Sequence, residues 1–176
     1  MRTVLNEAFD ELVAAVGTRL KTRGFTQRGP VLRIVAQNNC GIVEFQKSVK
    51  SSEQALLFTI NLGVICGDLL YSGSFGAEKA QMVDAHVRQR IGMLLPDHPD
   101  KWWKITESTN RDLLIQEVSE LVAEKAAPFI ESHLNTKTVI ALWESGQSPG
   151  LTDLQRARFL ARLTKVESSR RDGSTG

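Results

Sequence analysis

The chain has 176 residues, of which 41% are hydrophobic and 24% are charged, and its formal net charge at pH 7 is +2. A chain of this length and composition is typical of one globular domain that buries a core without disulfides or structural metals. The near balance of 22 Lys and Arg against 20 Asp and Glu lacks the strong positive charge of a dedicated nucleic-acid-binding domain.

The two cysteines, Cys40 and Cys66, show neither the CxxC nor the Cys/His spacing of a zinc site. Two free thiols in a reducing cytosol are the simpler prediction, although a disulfide at one end of the predicted hairpin is geometrically conceivable. The N-terminal segment lacks the apolar run of a signal peptide, and no stretch reaches the ~18 apolar residues that span a bilayer. We therefore expect a cytoplasmic protein without membrane contact.

The first predicted element is an amphipathic helix over residues 3–22, where apolar residues recur at three- and four-residue spacing. Gly24 follows two cationic residues and predicts the helix end, and Phe25 can fold back onto the last turn. A Gly-Pro pair at 29–30 then predicts a turn before a short strand at 31–36.

Two neighbouring segments, 41–49 and 56–64, alternate with a period of two and predict an antiparallel hairpin. One register separates apolar from polar side chains, and a slip of one residue would exchange the two faces. The pairs on the apolar face are Val43 with Leu62, Phe45 with Ile60, Lys47 with Phe58 and Val49 with Leu56. The pairs on the polar face are Glu44 with Asn61, Gln46 with Thr59 and Ser48 with Leu57.

The region after the hairpin is interrupted by glycines, and residues 71–76 predict a loop or a sheet edge. Residues 86–95 alternate in a pattern that predicts a fourth strand. One side of that strand would present His86, Arg88 and Arg90. A helix is the alternative for 77–90, because this stretch lacks Gly and Pro and contains helically spaced apolar residues.

A last short strand is predicted at 102–105, where Trp102 and Trp103 would point to opposite faces. A helix capped at 109–110 follows and extends to about Lys125. Its predicted core face comprises Leu113, Leu114, Val118, Leu121 and Val122. Pro128 predicts a break in this helix.

Two C-terminal helices complete the predicted elements. The first is capped by Asn135 or Thr136, and the second begins at a capping box formed by Thr152 and Gln155 and ends near Val166. Residues 167–176 lack an apolar anchor and are predicted to be disordered.

These elements predict a single α+β domain over residues 1–166, in which 136–166 form a C-terminal helical extension. We expect a largely antiparallel sheet of four to five strands, with the N-terminal and middle helices on its apolar face and a C-terminal helix pair beside them. The expected core residues are Leu12, Val16, Val43, Phe45, Phe58, Ile60 and Leu62.

Several short motifs occur in a fixed order along the chain. They are Gly24-Phe25 after the first helix, EFQKS at 44–48, FTINLGV at 58–64, RIGML at 90–94 and WWKI at 102–105. With the helical segment that follows, they resemble the uncharacterised bacterial family domain of unknown function 4304, over about residues 5–130. The resemblance implies an α+β fold and no established activity, so it assigns no catalytic residue.

The polar face of the hairpin is the main candidate for a binding surface. Asn is uncommon inside strands, so Asn61 indicates a specific hydrogen-bonding role. Two arginines on this face could hold a carboxylate or a phosphate, and an exposed tryptophan could anchor a partner. The candidate binding residues are Glu44, Gln46, Ser48, Thr59, Asn61, Arg88, Arg90, Trp102 and Trp103. An ordinary solvated sheet face would show the same polar pattern.

We expect a non-enzymatic binding or interaction module that uses this face, with an unidentified protein or a small anionic molecule as its partner. One alternative is an enzyme that acts on an anionic small molecule, with Glu44 as base and Arg90 or Arg88 as anion clamp. It requires a concave pocket in which Glu44 and an arginine converge.

The other alternative is weak nucleic-acid binding through the last helix, whose cations are Arg156, Arg158, Arg162 and Lys165. The sequence has no glycine-rich phosphate loop, no GxSxG nucleophile elbow and no set of ligands with metal spacing. We therefore expect no cofactor and no metal.

Overall fold

The computed structural model describes residues 3–70 and 76–172, and it shows an α+β fold. The strands are β1 (Thr26–Arg28), β2 (Val31–Ala36), β3 (Asn39–Lys47), β4 (Leu56–Cys66), β5 (Val87–Arg90) and β6 (Trp103–Ile105). The helices are α1 (Val4–Lys21), α2 (Arg111–Leu121), α3 (Ala127–His133), α4 (Thr136–Glu144) and α5 (Asp153–Asp172). The predicted fold class is confirmed, and the described sheet has six strands because β1, whose three residues are all exposed, adds an edge without an apolar signature.

Helix α1 begins and ends where the sequence predicts. The Thr3 hydroxyl caps its start by accepting a hydrogen bond from the backbone N–H of Asn6 at 3.3 Å. Gly24 has φ of +88°, a left-handed conformation that glycine adopts without strain. The chain therefore turns back, and the buried Phe25 donates its N–H to the carbonyl of Leu20, at 3.4 Å.

The sheet has the order β1-β2-β3-β4-β5, and every pair is antiparallel. β6 pairs with the first part of β4, along the same edge that β5 uses further on. Gln37 and Asn38, both at positive φ, form the two-residue turn between β2 and β3. Short antiparallel connections thus bring β2, β3 and β4 side by side.

The predicted register of the central hairpin is confirmed. Val43 pairs with Leu62, and Glu44 pairs with Asn61. The prediction is wrong at the end of the hairpin, because β3 stops at Lys47 and Val49 is fully exposed in the turn rather than paired with Leu56. The polar turn that connects the two strands begins before Val49, and the high β-propensity of valine does not extend the strand into it.

The main core lies between the apolar face of the sheet and the helices. All seven residues predicted for the core are buried, with 2% exposure or less. The ring centroids of Phe9 and Phe58 lie 5.5 Å apart, and Trp103 stacks on Phe58 at 5.3 Å. These contacts join α1 to β4 and β6, so the aromatic side chains connect the helical layer to the sheet.

A second, smaller cluster lies on the opposite face of the sheet, beneath residues 76–86. Its buried members are Cys40, Ile42, Ile65, Ala77, Ala80 and Ala85. Gly63 allows this cover to approach, since a Cβ at that position would lie 2.7 Å from Met82 Sδ and 2.9 Å from Ala85 Cβ. Part of the second face is therefore packed, and part stays open.

Residues 77–90 form neither of the two predicted elements throughout. Two short 3-10 turns, Ala77–Lys79 and Met82–Asp84, precede β5, and a third, Ile91–Leu94, follows it. The strand predicted over 86–95 is therefore limited to its first half. The predicted loop at 71–76 lies outside the described residues except for its last position.

The predicted break at Pro128 does not occur. A π-helical turn at Val122–Ala126 connects α2 to α3, and the N–H of Ala127 bonds to the carbonyl of Val122. Such a turn widens the helix and accommodates a proline that an α-helical hydrogen-bond ladder would reject. Leu113, predicted for the core face of α2, is instead exposed.

The C-terminal helices extend further than predicted. The capping box of Thr152 and Gln155 is present, but α5 continues to Asp172, where the sequence predicted disorder from residue 167. Arg170 holds this end by a paired contact with Asp68, its Nη1 and Nη2 lying 2.9 Å from the two carboxylate oxygens. A charged contact thus replaces the apolar anchor that the sequence lacks.

Both cysteines are free and buried. Cys40 belongs to the smaller cluster and Cys66 to the main core, on opposite faces of the sheet, which excludes the disulfide alternative. Burial raises the pKa of the Cys40 thiol to about 11 and that of Cys66 to about 12.

Replacing Phe45 by Ala should lower the free energy of unfolding by about 3–5 kcal/mol, because the mutation leaves a cavity between α1 and the sheet. Urea denaturation at equilibrium measures this change. The matched control is Val49→Ala in the exposed turn, expected to change stability by less than about 0.5 kcal/mol. A loss below about 1 kcal/mol for Phe45→Ala would contradict the packing described.

Candidate functional site

The open part of the polar face is organised around Asn61. Its side-chain amide nitrogen lies 2.8 Å from Gln46 Oε1 and 3.5 Å from Glu44 Oε2, on the neighbouring strand. In the sheet register Glu44 and Arg90 flank Asn61 on its two sides. The Asn that is unusual in a strand interior thus orients two polar neighbours across β3 and β4.

These side chains form the floor of a groove with a volume of about 930 Å³. One wall is helix α1, another is the turn between β1 and β2, and the far wall is the segment that covers the smaller cluster. The lining residues are Phe9, Asp10, Val13, Gln27, Gly29, Pro30, Glu44, Phe45, Gln46, Lys47, Asn61, Met82, Val83 and Arg88. The groove therefore combines polar groups with apolar ones, and its lining includes residues of both sheet faces where β3 continues past the start of β2.

Arg88 reaches the groove from β5, and the loop between α4 and α5 positions it. The backbone N–H of Arg88 donates to the Pro149 carbonyl at 2.9 Å, and its guanidinium donates to the Gly150 carbonyl at 3.4 Å. Gly150 has φ of +80° and packs closely on Arg88, since a Cβ there would lie 2.8 Å from the Arg88 Cβ. The loop between α4 and α5 thus helps to fix the position of Arg88 in the groove.

Arg90 does not line the groove, although it follows Arg88 on the same side of β5. Its Nη1 lies 2.5 Å from Asp100 Oδ1, and its guanidinium lies 5.1 Å from the ring centroid of Trp102. Trp102 Nε1 donates to the other oxygen of Asp100 at 3.0 Å. The hydrogen bonds from Trp102 and Arg90 hold the pKa of Asp100 below its ordinary value. A guanidinium already paired with a carboxylate is a poor anion clamp, which counts against Arg90 in that role.

Three other candidates make contacts within the protein. Thr59 is buried and donates its hydroxyl to the Lys101 carbonyl at 2.8 Å. Trp103 is buried and donates Nε1 to Glu117 Oε1 at 3.0 Å. Ser48 is half-buried, and its hydroxyl accepts the N–H of Lys50 in the turn. These contacts place the three residues outside the groove.

His86 also lies away from the polar face, contrary to the prediction that it shares a side with Arg88. Its Nδ1 accepts the backbone N–H of Cys66 at 3.1 Å, and its ring packs edge-on against Phe159 of α5, 5.0 Å between centroids. Burial, and to a smaller extent nearby Arg162, lower the pKa of His86 to about 4, and Asp84 opposes the shift.

The cations of α5 are partly engaged inside the protein. Arg156 forms an ion pair with Asp153 at 3.1 Å and donates to the Gly146 carbonyl, and Arg170 binds Asp68.

Within residues 3–70 and 76–172 no group of three or more His, Cys, Asp or Glu side chains could hold a metal ion. In the same residues no helix combines the length and the apolar character needed to cross a membrane.

Comparison with known proteins adds a family. Residues 16–132 match the family described as Domain of unknown function (DUF4304). The chain belongs to the DUF4304 family. This confirms the family that the ordered motifs resemble, and the DUF4304 region contains Glu44, Asn61 and Arg88, whereas α4 and α5 lie beyond it. No curated protein and no solved structure matched the chain.

Sequence reasoning missed the walls of the groove in this DUF4304 domain. The helical spacing predicts Phe9 and Val13 on the core-facing side of the first helix, where both are buried. Met82 and Val83 lie in the segment 77–90, for which helix and strand are both possible from the sequence. Their convergence depends on how α1 and the covering segment pack on the sheet, which has no local signal. The Gly-Pro turn at 29–30 was recognised as a turn, but nothing in it indicates that it lies beside Phe45.

Acidification should destabilise the protein through His86. Its pKa is about 4 in the folded chain, below the ordinary 6.5, so the unfolded chain binds more protons between these values. Stability therefore falls as the pH drops through this window, by about 1–2 kcal/mol between about pH 7 and pH 5.

Urea titrations at both pH values test this dependence. His86→Gln keeps an acceptor for the Cys66 N–H but cannot titrate, so its loss of stability between the two pH values should be smaller. The exposed His98→Gln serves as the matched control and should behave like the unmodified protein. An equal pH dependence in His86→Gln would refute the assignment.

Proposed function

We propose that this DUF4304 protein is a non-enzymatic binding module whose groove on the polar sheet face takes a small, partly apolar molecule with an anionic group. The observation that supports this most is the groove itself. Its volume of about 930 Å³ lies within the range of small-molecule sites, and such sites combine apolar walls with a few oriented polar groups.

The polar floor offers hydrogen bonds in a fixed arrangement. Because Asn61 Nδ2 is held by Gln46 Oε1, the Asn61 Oδ1 acceptor and the Gln46 Nε2 donors are left without partners among the described residues. Two groups of opposite hydrogen-bonding character are thus available side by side. They would form hydrogen bonds with a ligand that carries both a donor and an acceptor.

Arg88 supplies the positive charge at one end of the floor. Its guanidinium is exposed, and the one bond it makes among the described residues goes to a neutral carbonyl. An arginine without a carboxylate partner can form charge-assisted hydrogen bonds with a ligand carboxylate or phosphate. The anionic group of the ligand would therefore lie towards β5.

The apolar part of the ligand would contact the walls. Val83 is 75% exposed at the rim and Met82 is half-buried, whereas Phe9, Val13 and Phe45 are at most 2% exposed. Val83 and Met82 therefore provide most of the apolar surface that a ligand can cover. Covering such surface with an apolar group is favourable by about 25 cal/mol per Å² removed from water. The proposed ligand thus resembles an amphipathic acid more than a simple ion.

The enzymatic alternative is retained as a second candidate because Glu44 and Arg88 line the same groove. In that case Glu44 would act as the base and Arg88, rather than Arg90, as the anion clamp.

The same groove could instead receive a segment of a protein partner. A cytoplasmic location is part of the proposal, supported by the two free thiols.

Screening small carboxylic acids against the ¹⁵N-labelled protein by NMR tests the proposal. Binding acids should shift the amide signals of the groove floor in a saturable manner. Asn61→Ala and Arg88→Gln should each weaken binding about tenfold, since each removes a hydrogen bond, that of Arg88 to a charged group. The matched control is Arg90→Gln, whose guanidinium lies outside the groove, and it should bind as the unmodified protein does.

The absence of saturable shifts at the groove across the acids tested would overturn the proposal. So would unchanged affinity in both Asn61→Ala and Arg88→Gln. Glu44→Gln separates the two candidates. Chemical conversion of a bound acid that Glu44→Gln abolishes would favour the enzyme, whereas binding without conversion in either protein favours the binding module.

A further inference from the structure

A second cleft, with a volume of about 540 Å³, opens beside the groove. It lies between the β1–β2 hairpin and the segment that covers the smaller cluster. Its lining residues are Thr26, Gln27, Arg28, Val31, Arg33, Ile42, Glu44, Glu78, Lys79, Gln81 and Met82. Gln27, Glu44 and Met82 line both cavities, so the cleft and the groove are continuous.

Arg33 projects from β2 on the same side of the sheet as the polar groove floor. It pairs with Ile42 of β3, and directly opposed residues share a face, as do Ile42 and Glu44 two positions apart. The side chain is half-buried, and its Nη2 donates to the Ala80 carbonyl at 3.2 Å. The guanidinium is thereby fixed against the covering segment.

The Nε of Arg33 is buried without a hydrogen-bond partner. Among the described residues, Trp143 Nε1 is the other buried side-chain nitrogen or oxygen in this condition. The two differ in their surroundings, because Trp143 packs in the core, stacked on Phe159 at 6.2 Å, whereas Arg33 lines an open cleft. A ligand in the cleft can therefore approach the accessible part of the half-buried Arg33 side chain, whereas Nε itself is buried.

An unpartnered guanidinium donor is energetically unfavourable. A buried donor left without a partner costs about 1–3 kcal/mol, and more when the group is charged. Glu44 and Glu78 line the same cleft, yet neither forms an ion pair with Arg33 within the described chain. An anion that accepts the free hydrogen atoms would remove this cost.

The other charges of the cleft also favour an anion. Arg28 and Lys79 are exposed at its rim, so three cations face two carboxylates, those of Glu44 and Glu78. Arg33 is half-buried and held by the Ala80 carbonyl, and the excess of one positive charge favours a negative group over a neutral one.

We propose that Arg33 is an anion-binding residue, whose guanidinium donates to a carboxylate or phosphate of a small molecule in the cleft and shifts within it to bring Nε–H into contact. This inference rests on the proposed function in one respect, because the cleft continues the groove and would hold a second acidic group of the same ligand. Arg88 and Arg33 would then bind the two ends of a ligand with two acidic groups.

The test follows the Nε–Hε signal of Arg33 by NMR in the full chain, assigned through bonds from its own backbone amide. Inorganic phosphate and succinate are titrated separately, which distinguishes a phosphate from a carboxylate. One of them should shift this signal in a saturable manner, with Kd below about 1 mM. The absence of a shift with both anions would overturn the inference.

Variants establish whether the binding is specific. Arg33→Lys keeps the charge but loses the planar fork of donors, so it should weaken binding of the anion about tenfold. Arg158→Gln, an exposed α5 arginine, is the matched control and should leave it unchanged. Equal weakening in the two variants would show general attraction to surface charge and would refute a site at Arg33.

The outcome is separable from that of the groove experiment. Asn61→Ala removes the amide arrangement of the groove floor without touching Arg33. Anion binding that is unchanged in Asn61→Ala and about tenfold weaker in Arg33→Lys supports the cleft site, even where no acid binds the groove. Acids that bind the groove while the Arg33 signal stays constant support the proposed function and overturn the present inference.

Discussion

The pairing of β3 with β4 is the constraint on which the rest of the structure depends. Its register turns Phe45 and its partner Ile60 towards the helices, and it turns Glu44 and Asn61 towards the opposite face. The same alternation therefore builds the core and the floor of the groove. A shift of one residue would bury the amides and carboxylates and would expose the aromatic contacts with α1.

The groove arises because the cover on the second face is incomplete. The segment around Met82 packs on Gly63, where the missing side chain leaves room, and it stops before the row that contains Asn61. On the other side, β2 begins only at Val31, opposite Glu44, so the β1–β2 turn forms a wall instead of a further strand. The late start of β2 relative to the end of β3, together with Gly63, thus determines which part of the sheet stays uncovered.

The sequence predicts the elements whose pattern is local. The first helix, the strand at Val31–Ala36 and the hairpin register follow from periodicity, and the polar floor of the groove follows from that register. Long-range packing accounts for most of what was missed. The helix passes Pro128 through a π turn, His86 inserts beneath α5, and Arg33 becomes a cleft residue only after the covering segment packs.

The loop that follows α4 contacts the groove from outside the DUF4304 region. Pro149 bonds to the outer edge of β5, and Gly150 sits against Arg88, yet both lie beyond the region that matches DUF4304. The strands can therefore stay unchanged while an appended segment alters the orientation of a groove arginine. The proposed groove ligand would thus meet an arginine whose direction depends on a segment outside the DUF4304 region.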